Sequence, residues 1–185
     1  TSRSASFLAS LSDIDILSLN SPEAAALVPL LVGKFGDTGC VALDVEPADA
    51  PTLLRYGLNS GGHEISLAGF MRALQNCGVP IVLVTNGADG AYVGTGRHIY
   101  HCPTLPVEVV GTAGAGDAFA ATFATWMTET GDPRLALSAA TLNAASVIGY
   151  ADTQTGLLKR PVLDDRIAGQ ASQLKIEDWI MSGDC

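Results

Sequence analysis

Charged residues are scarce in this sequence, and basic residues are the scarcer kind. Only 16% of the 185 residues are charged, with 10 Lys and Arg against 19 Asp and Glu. The formal net charge of −9 leaves no broad basic surface that would attract a phosphate backbone or an anionic lipid surface. We therefore expect neither nucleic acid nor a membrane as a partner.

Long apolar runs are also absent. The longest candidate, Ala24 to Gly33, is shorter than the roughly eighteen residues that a membrane-spanning helix needs, and it contains Pro29. The N-terminus carries no basic segment followed by an apolar signal core. Both absences predict a chain without a transmembrane helix or a secretory signal.

Cysteine is sparse and lacks the spacing of a disulfide framework or of a Cys-x-x-Cys pair. The four cysteines are Cys40, Cys77, Cys102 and Cys185. We expect reduced thiols in a cytoplasmic protein. His98 and His101 lie close to one of them, but two residues three apart in a strand point to opposite faces, and no second ligand cluster follows. Ordinary polar roles are therefore favoured over a metal site.

A hydrophobic content of 48% in 185 residues is typical of one compact globular domain. Apolar runs with strand character alternate with segments of helical spacing over most of the chain. This alternation predicts an α/β architecture with a largely parallel sheet, formed by residues 1–185 as a single domain. In such sheets ligands bind beyond the carboxyl ends of the strands.

The glycine-rich turn that begins at Gly111 is the most informative stretch. Gly114 and Gly116 permit backbone conformations that side chains would forbid, and the small residues between them leave the amides accessible. Phe119 and Phe123 then recur at helical spacing, so the turn leads into an amphipathic helix. The unpaired amides of a helix's first turn, with the helix dipole, favour an anion such as a transferring phosphoryl group.

Asp117 stands where this helix begins, which is an unexpected place for a carboxylate if the turn binds an anion. One interpretation is that Asp117 caps the helix. The other is that it accepts the proton of a hydroxyl that attacks phosphorus. The usual Walker-type loop, Gly-x-x-x-x-Gly-Lys followed by Ser or Thr, is absent, so this turn would be a different phosphate-binding device.

Thr112-Ala-Gly-Ala-Gly-Asp-Ala-Phe119 resembles the second signature of the PfkB carbohydrate kinases, Asp-Thr-x-Gly-Ala-Gly-Asp-x-Phe. The resemblance implies a ribokinase-like three-layer α/β/α fold and transfer of the γ-phosphoryl group of ATP, with Mg²⁺, to a sugar or nucleoside-like hydroxyl. It implies that Asp117 is the general base, that Gly114, Ala115 and Gly116 form the anion hole, and that Thr112 contacts the nucleotide.

Two further motifs match the family when they are taken in order along the chain. Asn20-x-x-Glu23 follows a predicted strand and resembles a motif that arranges magnesium and phosphate, often through water. Thr85-x-Gly87-x-x-Gly90 resembles a turn that contacts the phosphates and ribose of the nucleotide. The alternatives are a strand-to-helix turn, with Ser21 as the cap, and an ordinary glycine turn.

Asn143 lies in Leu-Asn-Ala-Ala-Ser and resembles the family's Ala-Asn-Ala-Ala stretch near the adenine pocket. A polar residue on a mostly apolar helix can equally bond to a neighbouring loop. The loop that follows, Ala151 to Gly156, is placed where it would border the nucleotide. We predict that Pro47–His63 is loop-like, and that the tail from Leu157 is a surface segment docked by its aromatic residue.

The sequence departs from the family pattern in three ways. Gly111 stands where an Asp is usual, near the monovalent-cation site of many members, and Thr122 replaces a common glycine. The resemblance covers about Asp13 to Gly156, so the amino-terminal part with the sugar-contacting motif and the lid, through which the family often forms homodimers, is not represented. The opening without Met is typical of an internal cut.

These departures leave a competing hypothesis, in which the chain is a nucleotide-binding module or an inactive kinase remnant. Asp117 favours catalysis, because nucleotide binding alone needs no base. A dinucleotide oxidoreductase is disfavoured by the glycine spacing and by the lack of a well-placed ribose-binding acid. The identity of the acceptor is left open.

Overall fold

A computed structural model of the chain describes residues 2–36, 42–43, 50–170 and 174–183. The chain divides into two compact units. The first contains Thr1–His101 and Asp178–Cys185, and the second contains Cys102–Glu177. Whether they act as a single domain stays a prediction.

The first unit contains the described strands, two of which extend by one residue into the second unit, together with several helices. In chain order the elements are α1 (Ser2–Ser10), a 3-10 turn (Leu11–Asp13), β1 (Ile16–Asn20), α2 (Ser21–Phe35), β2 (Ala42–Leu43), α3 (Thr52–Tyr56), β3 (Leu58–Ser60), β4 (His63–Ile65), α4 (Leu67–Asn76), β5 (Ile81–Thr85), a 3-10 turn (Gly87–Asp89), β6 (Ala91–Thr95), β7 (His98–Cys102) and β8 (Glu177–Ser182). The predicted α/β fold class is confirmed.

The main sheet has six strands in the order β1-β5-β6-β7-β8-β2, and β3 pairs with β4 in a separate hairpin. The sheet is mixed, because β1 and β5 run parallel whereas β6 is antiparallel to β5 and β8 is antiparallel to β2. The register of the parallel pair places Asn20 beside Thr85. Two of the motifs singled out in the sequence therefore lie together at the carboxyl ends of neighbouring strands.

The core of the first unit lies between its sheet and the helices α2 and α4. Ser66 caps α4 by accepting a hydrogen bond from the amide of Gly69 at 3.0 Å, and the helix then buries Phe70 and Leu74 completely. Burial of such a side chain contributes about 2–3 kcal/mol relative to exposure. Tyr92 of β6 is also fully buried, and its hydroxyl oxygen accepts the amide of Leu53 at 3.3 Å.

The second unit is helical in its described residues, with α5 (Ala115–Thr130), α6 (Pro133–Val147) and α7 (Arg160–Gln170). Gly131, with φ of 66°, ends α5, and Asp132 caps α6 by accepting the amides of Arg134 and Leu135. α5 and α6 pack against each other along buried faces, since α6 presents mostly small residues that permit close approach.

Two segments contain more regular structure than the sequence predicts. The range 47–63 includes α3, β3 and the start of β4, and the tail from Leu157 includes α7 and β8. Trp179 of β8 is buried, so the tail does dock by its aromatic residue. No helix within the described ranges is long and apolar enough to cross a membrane.

Candidate functional site

The glycine turn of the second unit leads directly into α5. Gly114 is the N-cap of this helix and has a left-handed backbone with φ of 78°, which only glycine adopts without strain. Its carbonyl oxygen accepts the amide of Ala118 at 2.9 Å, and the amide of Ala115 makes a long bond of 3.4 Å to the carbonyl oxygen of Thr112. The amides of Gly116 and Asp117 have no acceptor among the described residues. The turn therefore presents two free donors at a positive helix end.

Asp117 is the third residue of α5, and its side chain is exposed. Because Gly114 occupies the N-cap position, Asp117 does not cap this helix. Within the described residues, its carboxylate has no hydrogen-bond or ion-pair partner. An unengaged carboxylate beside two unengaged amides can accept a proton while the amides bind an anion.

A second loop lies directly against the glycine turn. The amides of Val110 and Gly111 both donate to the carbonyl oxygen of Ile148, at 2.8 and 3.2 Å. A Cβ atom at Gly111 would lie 2.9 Å from the carbonyl oxygen of Tyr150, which is closer than such atoms approach in proteins. The backbones therefore approach each other more closely than a side chain at position 111 would permit.

Gly114 meets the same loop. A Cβ atom at this position would lie 2.8 Å from the Cβ and 3.0 Å from the Cγ2 of Thr153. The lack of a side chain at Gly114 thus serves both the left-handed backbone and the contact with Thr153. The Ala151–Gly156 loop, which the sequence places beside the nucleotide, is the neighbour of the glycine turn within this unit.

The carboxylate of Asp152 stabilises this second loop by accepting three hydrogen bonds. One oxygen accepts the amides of Gln154 at 2.9 Å and Thr155 at 2.7 Å, and the other accepts the hydroxyl of Thr155 at 2.7 Å. These hydrogen bonds, above all that from the Thr155 hydroxyl, lower the pKa of Asp152 to about 2. Sequence reasoning did not single out Asp152, although Asp followed by polar residues after a helix is a turn signal.

Asn143 is buried on α6 and both ends of its amide are engaged. Its nitrogen donates to the hydroxyl of Thr122 at 2.7 Å, and its oxygen accepts the amide of Leu158 at 2.9 Å. Asn143 therefore joins α5, α6 and the segment after the second loop. Asn143 and Thr122 also line a cavity of about 270 Å³, together with Trp126 and Arg160. Thr122, noted in the sequence only as a departure from glycine, is the partner of Asn143.

In the first unit, Asn20 and Glu23 form a capping box at the start of α2. The helix begins at Ser21, so Asn20 and not Ser21 is the cap. One carboxylate oxygen of Glu23 accepts the amide of Asn20, and the other has no partner among the described residues. Glu23 thus retains an oxygen of the kind that Mg²⁺ prefers, directly or through water.

Thr85 ends β5 and opens a tight turn to β6. Gly87 and Gly90 have positive φ of 54° and 97°, and the amide of Asn86 donates to the carbonyl oxygen of Gly90 at 2.8 Å. The buried ring of His101 lies 2.7 Å, through Nε2, from the carbonyl oxygen of Asp89 in the same turn. Turn geometry accounts for both glycines, and His101 fixes the turn to β7.

The predicted site residues are divided between the two units. Asn20, Glu23, Thr85, Gly87 and Gly90 belong to the first, whereas Thr112, Gly114, Ala115, Gly116, Asp117 and Asn143 belong to the second. In the first unit Asn20 lies beside Thr85, and in the second Asn143 contacts Thr122 of α5, the helix that the glycine turn begins. Their roles toward a ligand stay predictions.

No group of three or more His, Cys, Asp and Glu side chains suited to a metal ion occurs in the described part of the chain. The Nδ1 atom of His98 lies 3.0 Å from the Oδ1 atom of Asp178. Burial raises the pKa of the Cys102 thiol to about 11, and a hydrogen bond from the Thr141 hydroxyl opposes this rise. His98 and Cys102 thus each have a polar partner among the described residues.

Comparison with known proteins identifies the family of this sequence. Residues 61–160 match the model of the pfkB family carbohydrate kinases. An ATP-dependent ribose-1-phosphate kinase of Halopiger xanaduensis is 50% identical over 70 residues, which cover 37% of this chain and 23% of that protein. A probable cytosol aminopeptidase of Glaesserella parasuis is 28% identical over 168 residues, which cover 86% of this chain and 32% of that protein.

The fold is also shared with solved structures. The structure of Arabidopsis thaliana ribokinase complexed with ribose and ATP superposes with a TM-score of 0.60 at 23% identity, covering 84% of this chain and 41% of that one. The predicted ribokinase-like fold is thereby confirmed. The chain spans less than half of the ribokinase and about a quarter of the ribose-1-phosphate kinase.

Proposed function

This chain belongs to the pfkB family of carbohydrate kinases, and we propose on that premise that it moves the γ-phosphoryl group of ATP to a hydroxyl of a sugar or sugar-like acceptor. Asp117 is the general base, and the Gly114–Gly116 turn is the anion hole. The observation that carries the proposal is the exposed, unpaired carboxylate of Asp117 beside the unpaired amides of Gly116 and Asp117.

The described residues account for two parts of the reaction. The two free amides donate to oxygens of the transferring group, whose negative charge they stabilise without rearrangement. A carboxylate oxygen of Asp117 accepts the proton that the attacking hydroxyl loses, and such general-base assistance contributes about 10²–10⁴ in rate. The left-handed Gly114 leaves the approach to these amides free of a side chain.

The residues of the first unit fit a nucleotide and its metal. Bound Mg²⁺ would neutralise phosphate charge. Glu23, with Asn20 beside it, offers one free carboxylate oxygen for an indirect contact with the ion, and Thr85 lies in register with Asn20. Thr85, Gly87 and Gly90 are assigned to the nucleotide phosphates and ribose, and Thr112 and Asn143 to the remainder of the nucleotide.

Pentoses and their phosphates are the first acceptors to consider, since the similar proteins include a ribose-1-phosphate kinase and a ribokinase that holds ribose. A cytoplasmic location follows from the scattered cysteines, and pairing of two copies is expected in a longer form.

The alternative, a nucleotide-binding module without transfer activity, explains the free amides but gives no task to Asp117. The likeness to the aminopeptidase extends over more of the chain but at lower identity, and no catalytic role is proposed from it.

The proposal is tested by incubating the chain, alone and within any longer polypeptide that carries it, with [γ-³²P]ATP and Mg²⁺. The acceptors are ribose, deoxyribose, ribose 1-phosphate, fructose 1-phosphate and a nucleoside panel. We expect label in one class of acceptor and ADP release that depends on it. ATP binding without labelled product in either form would support the binding module instead.

A further inference from the structure

The Ala151–Gly156 loop and the preceding Tyr150, together called the loop 150–156, are exposed except for Gly156. This loop contacts the glycine turn at two points. Gly111 approaches Tyr150, and Gly114 approaches Thr153, both at distances that leave no room for a Cβ atom. The turn therefore rests against this loop at the residues that precede its free amides. These two contacts limit the positions that the backbone of the glycine turn can adopt.

We infer that Asp152 and Thr153 are positioning residues for the phosphate site, and that the loop 150–156 is the support that holds the glycine turn in its binding conformation. This inference rests on the proposed function. Neither residue is assigned a contact with the substrate or with the reacting atoms. They act through the backbone of Gly111 and Gly114.

Asp152 supplies the rigidity of this support. Three donors converge on its carboxylate from the amides of Gln154 and Thr155 and the hydroxyl of Thr155. Charge-assisted hydrogen bonds of this kind are roughly twice as strong as neutral ones. With its carboxylate removed, those donors turn to water and the loop gains conformations, so Thr153 no longer keeps a fixed position against Gly114.

Thr153 supplies the contact itself. Its Cβ, Cγ2 and Cα lie 2.8, 3.0 and 3.2 Å from the place where a Cβ of residue 114 would stand. A substitution at Gly114 therefore has two costs, the left-handed backbone and the collision with Thr153. Thr153→Gly removes the Cβ and Cγ2 atoms from this collision and leaves only the Cα at 3.2 Å. It therefore reduces the second cost and not the first, so the two substitutions should not act independently.

The chain contains a matched control for Asp152. Asp132 is also exposed, and its carboxylate also accepts two backbone amides, at the opposite end of α6. The 15 residues of α6 separate the two positions by about 22 Å of helix. Asp132→Ala removes comparable hydrogen bonds far from the glycine turn.

The first experiment measures hydrogen exchange at the amides of Val110 and Gly111, which are bonded to Ile148, in the wild type, Asp152→Ala and Asp132→Ala. No substrate is added, so the result does not depend on kinase activity. We expect exchange at these two amides to be about tenfold faster in Asp152→Ala and unchanged in Asp132→Ala, because local opening controls their exchange. Equal exchange in the two variants would overturn the inference even if the wild type is a kinase.

The second experiment measures kcat/KM for ATP and KM for the acceptor in the same variants. We expect Asp152→Ala to lower kcat/KM for ATP about tenfold, since small displacements of positioning groups are costly, while KM for the acceptor stays within about twofold. Asp132→Ala should leave both constants near their wild-type values. Equal changes in every constant would indicate a general loss of structure and contradict a positioning role.

The third experiment is a double-mutant cycle between Gly114→Ala and Thr153→Gly. We expect Gly114→Ala to lower kcat/KM for ATP at least about threefold less in the Thr153→Gly background than alone, because residues in contact couple. Additive effects would overturn the contact. A wild type that transfers no phosphate, combined with faster exchange in Asp152→Ala, would overturn the proposed function and retain the structural support.

Discussion

Asn20 and Glu23 hydrogen-bond to each other's backbone amides, with Asn20 Oδ1 2.8 Å from the amide of Glu23 and Glu23 Oε2 2.9 Å from the amide of Asn20. This reciprocal pair starts α2 at the end of β1, where Asn20 is paired in register with Thr85 of the neighbouring strand β5. The capping role alone explains both residues. A second role toward Mg²⁺ must therefore be separated from it by a variant that keeps the cap.

Glu23→Gln is that variant, because Gln also completes a capping box. We expect its free energy of unfolding to stay within about 0.5 kcal/mol of the wild type, whereas Glu23→Ala loses one hydrogen bond, at about 1 kcal/mol. If the carboxylate also helps to hold Mg²⁺, both variants should need a higher Mg²⁺ concentration for half-maximal phosphoryl transfer. Urea unfolding and a Mg²⁺ titration measure the two effects, and an unchanged titration in Glu23→Gln would remove Glu23 from the metal site.

Asn143 is expected to contribute to the free energy of unfolding through its two hydrogen bonds, independently of any contact with the nucleotide. Asn143→Ala leaves the amide of the half-buried Leu158 and the hydroxyl of the buried Thr122 without their partner, and the buried group alone costs about 1–3 kcal/mol. Thr122→Val breaks one of the two bonds and should cost less. Denaturant unfolding of both variants gives this order. Weaker ATP binding by the Asn143→Ala protein that remains folded would support the nucleotide contact proposed for Asn143, and unchanged ATP binding would limit Asn143 to its structural role.

Alkaline pH should destabilise the protein through two buried acids. Burial raises the pKa of Cys102 from 9.0 to about 11 and that of Tyr92 from 10.0 to about 12. Because both values are higher in the folded state, the corresponding stability is complete below about pH 9 and is lost as the pH rises through 11 and 12. Melting temperatures between pH 8 and 11 should fall less steeply in Cys102→Ala, and parallel curves would contradict the shift at Cys102.

The sequence predicts the elements that have strong local signals. The glycine turn before α5, the turn after β5 and the strand β1 all lie close to their predicted positions, because glycine spacing and apolar runs are local properties. The fold class follows from their alternation. The resemblance to the family adds the candidate roles of Asp117 and of the turn residues, which no periodicity indicates.

Other features depend on contacts that sequence patterns do not record. The three-residue strands β3 and β4 are too short to show alternation, so their range reads as a loop with several glycines. Ser21 and Asn20 are both suitable caps, and the reciprocal hydrogen bonds between Asn20 and Glu23 decide between them. The bond between Thr122 and Asn143 joins residues 21 positions apart, which explains why neither side chain indicates the other.

The central claim is that the unpaired carboxylate of Asp117 serves as a base for phosphoryl transfer. The most direct test is kcat with the best acceptor in Asp117→Asn, with ATP affinity measured separately and Asp132→Asn as the matched control for loss of an exposed acid at a helix start. We predict that kcat falls by about 10²–10⁴ in Asp117→Asn while ATP affinity stays within a few-fold, and that Asp132→Asn retains activity. An Asp117→Asn protein as active as Asp132→Asn would contradict the account.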